Sequence, residues 1–230
     1  KLAPMSDFSD SLDPIVLGAE RKLMLTGTDR RRTAYHEAGH ALVGMLTRGA
    51  DPVRKISIIP RTMSLGVTVS APESDRFNYD KRSLLARLEV ATAGRAAEEV
   101  VFGDETTGAE NDIRQATQLA RSMVGRFGMS DEIGFVSVLP QEGDGWAMGV
   151  SQVSERTRQR IDDEVKRVVE EAHAEAIRLL TENRSRLDGI AEALLREETL
   201  DQPQAYAAAG LASPPEDEAA PVHAAIPIAT

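Results

Sequence analysis

Tyr35-His36-Glu37-Ala38-Gly39-His40 is the stretch that decides how the rest of this chain is read. Residues four apart on a helix share a face, so His36 and His40 can present imidazole nitrogens to one metal ion. Glu37, one position along, can reach a water in the metal's open coordination position and take its proton as it attacks a peptide carbonyl. The competing reading is an ordinary amphipathic helix that carries two histidines by chance. The flanking residues favour the metal site. Asp29 can cap a helix running from Arg30 to about Thr47, with Gly49 placed to end it. Ala34, Ala38, Ala41, Leu42, Met45 and Leu46 form an apolar stripe at helical spacing. Glycine at position 39 costs about 1 kcal/mol of helix propensity relative to alanine. Its missing side chain leaves room beside the metal face for a neighbouring backbone or a substrate.

Outward from this helix the pattern is mainly helical with a small sheet. Val53 to Ile59 and Leu65 to Val69 read as two short strands. Asp80 can start a long helix through Leu84, Leu88, Ala91, Ala97 and Val100, ending near Gly103. A polar loop from Gly103 to Asn111 precedes a helix carrying Ile113, Ala116, Leu119, Ala120 and Met123. The signal from Met129 to Val153 is mixed and marked by glycines. Ile161, Val165, Val168, Ala172, Ala176, Leu179 and Leu180 then define a long helix, followed by a shorter one from about Arg186 to Glu197. Residues 1–27, with an amphipathic piece from Phe8 to Leu17, read as a linker. Residues 28–210 read as the folded domain, and 211–230 as a disordered tail rich in Pro and Ala.

Composition narrows the function. The 230 residues are 41% hydrophobic and 28% charged, enough for a real core. A net charge of −10 and a pI near 5.0 argue against nucleic acid as a partner. The absence of cysteine removes disulfides and thiolate metal ligands. There is no apolar run of about 18 residues to span a membrane, and no glycine-rich phosphate loop.

A catalytic zinc usually has three protein ligands and a water. Val43 and Leu46 stand where metzincins carry a glycine and a third histidine, so that subclass is excluded. His173 and His223 read as solvated surface residues. The third ligand is therefore expected to be a carboxylate, with Glu98, Glu99, Glu110 and Asp112 as candidates. A short carboxylate held in the first turn of a helix favours Asp112 without closing the choice, since aspartate there also serves free backbone N–H groups.

The stretch TAYHEAGHAL, with TTGAENDI and RQATQLARSMV far downstream, resembles the peptidase domain of the FtsH family. These are membrane-anchored, ATP-dependent zinc metalloproteases. IVLGAERK, SLGVTVSAPESDRFNYDK, GRAAEEVVFG, MVGRFGMSDEIG and ETLD follow the same order, and the similarity runs from about Asp7 to about Gln204. The resemblance implies Zn2+ bound by His36, His40 and Asp112, with Glu37 as catalytic base. Glu98 would support a ligand histidine or be an ordinary surface glutamate. Gly66 to Val69 would be an exposed strand edge on which an extended peptide lies.

The resemblance further implies a homo-hexameric ring fed with unfolded or membrane-extracted polypeptides by an ATPase ring. The ATPase module and membrane anchor expected of the family are absent from this chain, and residues 1–27 resemble the exit from that module. The chain is expected to be a soluble portion of a protein held at the membrane, with the peptidase domain on the cytoplasmic side. Leu84, Leu88, Val165, Val168 and Leu179 sit in helices whose stripes are expected to exceed the needs of one helical layer, so that some apolar surface pairs between subunits. The alternative function is a non-catalytic assembly module with a structural metal. Glu37 speaks against it, because a structural zinc site has no use for a base.

Overall fold

A computed structural model describes residues 26–60, 65–71, 78–139, 153–214 and 228–229. The His-Glu-x-x-His stretch lies midway along helix α1, Gly27–Leu46. Its cap is Thr26 rather than the expected Asp29. The Thr26 hydroxyl accepts from the Asp29 N–H at 3.1 Å and faces the Asp29 carboxylate at 2.6 Å. The hydroxyl reaches one of the free N–H groups of the first turn, and Asp29 lies inside that turn. Every residue from Thr33 to Gly44 is buried. The expected apolar stripe is thus only part of a helix enclosed on all sides.

Four short antiparallel strands flank this helix in the order β3-β1-β2-β4. Strands β1 (Val53–Ser57) and β2 (Val67–Ser70) are the expected pair, with Ile56 opposite Thr68. On the far side of β1 lies β3 (Thr199–Asp201), with Leu200 opposite Ile56. Strand β4 (Ile228–Ala229) pairs with the outer side of β2, placing Ile228 opposite Thr68. The edge expected to be exposed therefore carries a strand of this chain along Val67 and Thr68.

Helix α2, Lys81–Phe102, starts where expected: the Asp80 carboxylate accepts from the Ser83 N–H at 2.7 Å. It ends at Gly103, whose φ of 72° is the left-handed cap that glycine adopts without a steric penalty. A 3-10 turn, Thr107–Ala109, leads into α3, Glu110–Gly125. The long α4, Glu155–Glu182, and the shorter α5, Arg184–Glu197, follow the expected periodicity. Strand β3 and helix α6, Gln202–Ala208, were not expected.

Two buried clusters hold these layers together. The first joins α1, β1, α4 and α5 through Leu42, Val43, Ile56, Leu180, Leu187, Ile190 and Leu194. The second joins α2, α3 and α4 through Leu84, Leu88, Ala116, Met123, Val124, Ile161 and Val165. Leu84, Leu88, Val165 and Val168, whose helices were expected to have apolar surface to spare for a neighbouring subunit, are buried here, and Leu179 packs on the first cluster. Helix α4 lies along α2, so these stripes meet inside one chain. Residues 1–25, 140–152 and 215–227 lie outside the described residues, and with them the Phe8–Leu17 piece, His223 and most of the expected linker and tail.

Candidate active site

One helical turn of α1 separates His36 from His40, and their rings meet edge to face with centroids 4.8 Å apart. Each ring is fixed from behind. The Nδ1 of His36 donates to Glu98 Oε1 at 2.9 Å, and the Nδ1 of His40 donates to the Val90 carbonyl at 2.7 Å. Both partners are acceptors, so each Nδ1 carries hydrogen and Nε2 is the nitrogen that faces the site. The two Nε2 atoms are 3.2 Å apart. Asp112 Oδ2 lies 3.1 Å from His36 Nε2 and 3.3 Å from His40 Nε2.

Three acceptors thus converge in a site where Glu37, His40 and Asp112 are each at most 2% exposed. Such a cluster is costly unless a cation sits among its members. The other Asp112 oxygen, Oδ1, is buried without a hydrogen-bond partner among the described residues. His36, His40 and Asp112 could together hold a metal ion, their donor atoms lying within 4.8 Å of one another. Two imidazoles and a carboxylate are a donor set that suits zinc. Protonation reflects the same demand for positive charge. Burial disfavours a charge on His36, yet hydrogen bonds to Asp112 and Glu98 lift its pKa to about 10. Burial likewise pushes Asp112 up, but His40 and His36 bring it down to about 2. A metal and a proton compete for these lone pairs.

Small residues let α2 approach this closely. A Cβ on Gly94 would sit 2.4 Å from His36 Nε2 and 2.5 Å from His40 Nε2. A Cβ on Gly39 would lie 2.6 Å from the Ala93 carbonyl oxygen. The room expected beside Gly39 is filled by a neighbouring backbone, that of α2. Asp112 arrives on the first turn of α3, behind the turn Thr107–Ala109.

The other carboxylate candidates are placed elsewhere. Glu98 is buried behind His36, which fits the supporting reading rather than a surface residue. Glu99 pairs with Arg95 at 2.9 Å and lies 3.1 Å from His173 Nε2, so His173 is half-buried against Glu99 and not merely solvated. Glu110 is on the surface, 2.6 Å from Arg114.

Glu37 stands beside the two rings, and burial raises its pKa, an effect that His40, His36 and a hydrogen bond from Thr68 oppose. Thr68 Oγ1 lies 2.7 Å from Glu37 Oε2. Sequence reasoning missed this residue, because a threonine in a strand reads as a strand former.

The family profile described as peptidase family M41 matches residues 23–207. The chain belongs to peptidase family M41. The resemblance drawn from the motifs is borne out by its relatives. It is 59% identical over 207 residues to the ATP-dependent zinc metalloprotease FtsH 3 of Conexibacter woesei, covering 90% of this chain and 28% of that protein. It is 52% identical over 210 residues to an ATP-dependent zinc metalloprotease FtsH of Thermobaculum terrenum, covering 89% and 32%. A third relative, FtsH 4 of Sphaerobacter thermophilus, is 48% identical, covering 98% and 34%. The chain therefore spans about a third of the length of these relatives.

Proposed function

We propose that this chain is the proteolytic part of a longer, membrane-anchored, ATP-dependent protease, in which His36, His40 and Asp112 hold zinc and Glu37 is the general base. Its reaction class is that of its family: it is a zinc metalloendopeptidase, hydrolysing peptide bonds. The observation that carries the residue roles is the convergence of three buried acceptors, two imidazoles and a carboxylate, beside the separate buried carboxylate of Glu37.

Zinc, when bound, supplies Lewis-acid polarisation of the peptide carbonyl and of the attacking water. Glu98 and the Val90 carbonyl hold the two imidazoles in the tautomer that offers Nε2. Glu37 removes the proton from water as it attacks the carbonyl carbon, then delivers a proton to the leaving amine. Its burial keeps that carboxylate basic enough to accept the proton and shields it from competing solvent.

The substrates are unfolded or membrane-extracted polypeptides. Support comes from β2, whose outer side accepts an antiparallel strand, here Ile228–Ala229. Backbone pairing of that kind selects extended chains with little regard to sequence. The chain works in a homo-hexamer on the cytoplasmic side of a membrane, joined through residues 1–27 to an ATPase module. Phe127, Phe135 and Val136 support the assembly: Phe135 is 95% exposed, an apolar surface that suits a neighbouring subunit. No helix among the described residues is long and apolar enough to cross a membrane.

Glu37→Gln tests the roles. The variant should bind zinc and fold as the parent does, while casein cleavage falls by about 10²–10⁴-fold. A chelator should abolish cleavage by the parent. Near-normal turnover by a zinc-loaded Glu37→Gln protein would overturn the assignment.

A further inference from the structure

The carboxylate proposed as general base is held by the sheet. Thr68 Oγ1 lies 2.7 Å from Glu37 Oε2 and 3.1 Å from the Glu37 carbonyl oxygen, and both side chains are buried. A glutamate in the middle of a helix has several rotamers open to it, and a general base works only from one that brings its carboxylate beside the reacting water. Two positions restrict that freedom, Gly66 just before β2 and Thr68 within it. Residues 66 and 68 share a face of the extended segment, and that face is turned toward Glu37. A Cβ on Gly66 would lie 2.6 Å from Glu37 Oε1 and 3.0 Å from its Cδ. Gly66 therefore leaves the volume that the carboxylate fills, and Thr68 supplies the hydrogen bond that keeps it there.

We infer that Gly66 and Thr68 are positioning residues that aim Glu37, acting through the base rather than on zinc or substrate. This rests on Glu37 being the base. It gives β2 two tasks: its outer side lies along an extended strand, and its inner face aligns the carboxylate. Peptide placement and base placement are then referred to one rigid element.

Thr68→Val keeps the shape and strand preference of the side chain and removes the hydroxyl; Thr68→Ser restores the hydroxyl on a smaller side chain. In the zinc-loaded protein, Thr68→Val should lower kcat for an unfolded peptide by about ten- to a hundredfold while KM changes little. Its zinc affinity, measured by chelator competition, should stay within about twofold of the parent. Thr68→Ser should recover most of the lost kcat. A crystal structure of Thr68→Val should show the Glu37 carboxylate moved from its place while His36, His40 and Asp112 keep theirs. In a Glu37→Gln background, Thr68→Val should cause no further loss. If Glu37→Gln is inactive but Thr68→Val keeps the parent's kcat, this inference fails while the role of Glu37 stands. A rise in KM with kcat unchanged, or a loss that Thr68→Ser does not recover, would assign Thr68 to strand integrity and overturn the inference. An active Glu37→Gln protein would remove the base and this inference together.

Discussion

Helix α2 makes two contacts that differ in kind. Toward α1 it presents Ala93, Gly94 and Ala97, and the two backbones approach so closely that a methyl on Gly39 would lie 2.6 Å from both the Ala93 oxygen and the Ala97 Cβ. Toward α3 and α4 it presents Leu84 and Leu88, which fill space among Met123, Val124, Ile161 and Val165. The first contact is fixed by backbone proximity and sets His36 against Glu98 and His40 against the Val90 carbonyl; the second is fixed by volume and supplies hydrophobic burial. One helix thus divides its length between stability and positional accuracy, and the two should fail separately.

Leu88→Ala should show the larger effect on stability. Leu88 is fully buried in the second cluster, and truncation at such a position costs about 2–5 kcal/mol. Chemical denaturation checks the loss, and zinc affinity of the folded protein should be unchanged. A Leu88→Ala protein with intact stability and impaired zinc binding would break the division.

For Gly39→Ala, two physical effects predict opposite signs. Helix propensity alone favours alanine by about 1 kcal/mol. Overpacking against the α2 backbone costs about 1–3 kcal/mol and cannot be relieved by a side-chain rotation, since the Ala93 carbonyl is in the way. The variant should be less stable than the parent and bind zinc more weakly, because α2 carries Val90 and Glu98 behind the two histidines. A more stable Gly39→Ala protein would show that the seam is looser than its distances imply.

Much of this division was open to reading in the sequence, and the unread part has physical reasons. The pairing of His36 with His40 depends on helix periodicity alone, as do α2 and α4. Asp112 lies 76 residues beyond His36, and no local spacing could choose it over Glu98, Glu99 or Glu110; the family resemblance made that choice. The apolar stripes were visible, but whether Leu84 and Val165 met each other or another subunit depended on how α4 lies against α2. Strand β3 is too short, at Thr199–Asp201, to show alternation. Helix α6 did have a readable signal, the capping box in which Asp201 accepts from the Gln204 N–H and the Gln204 side chain accepts from the Asp201 N–H, with Pro203 in the first turn. Thr68 had none, since nothing in a strand's sequence tells which helix residue its hydroxyl will meet.

A zinc titration of Asp112→Asn beside Glu110→Gln decides whether His36, His40 and Asp112 form the metal site. Asp112 offers a buried carboxylate with one oxygen near both imidazoles and the other without a hydrogen-bond partner among the described residues, whereas Glu110 is an exposed neighbour paired with Arg114. An amide oxygen is a poorer zinc ligand than a carboxylate. Asp112→Asn should weaken zinc binding by more than about a hundredfold, and Glu110→Gln should leave it within about twofold of the parent. Unchanged affinity in Asp112→Asn, or a loss confined to Glu110→Gln, would contradict the His36–His40–Asp112 site.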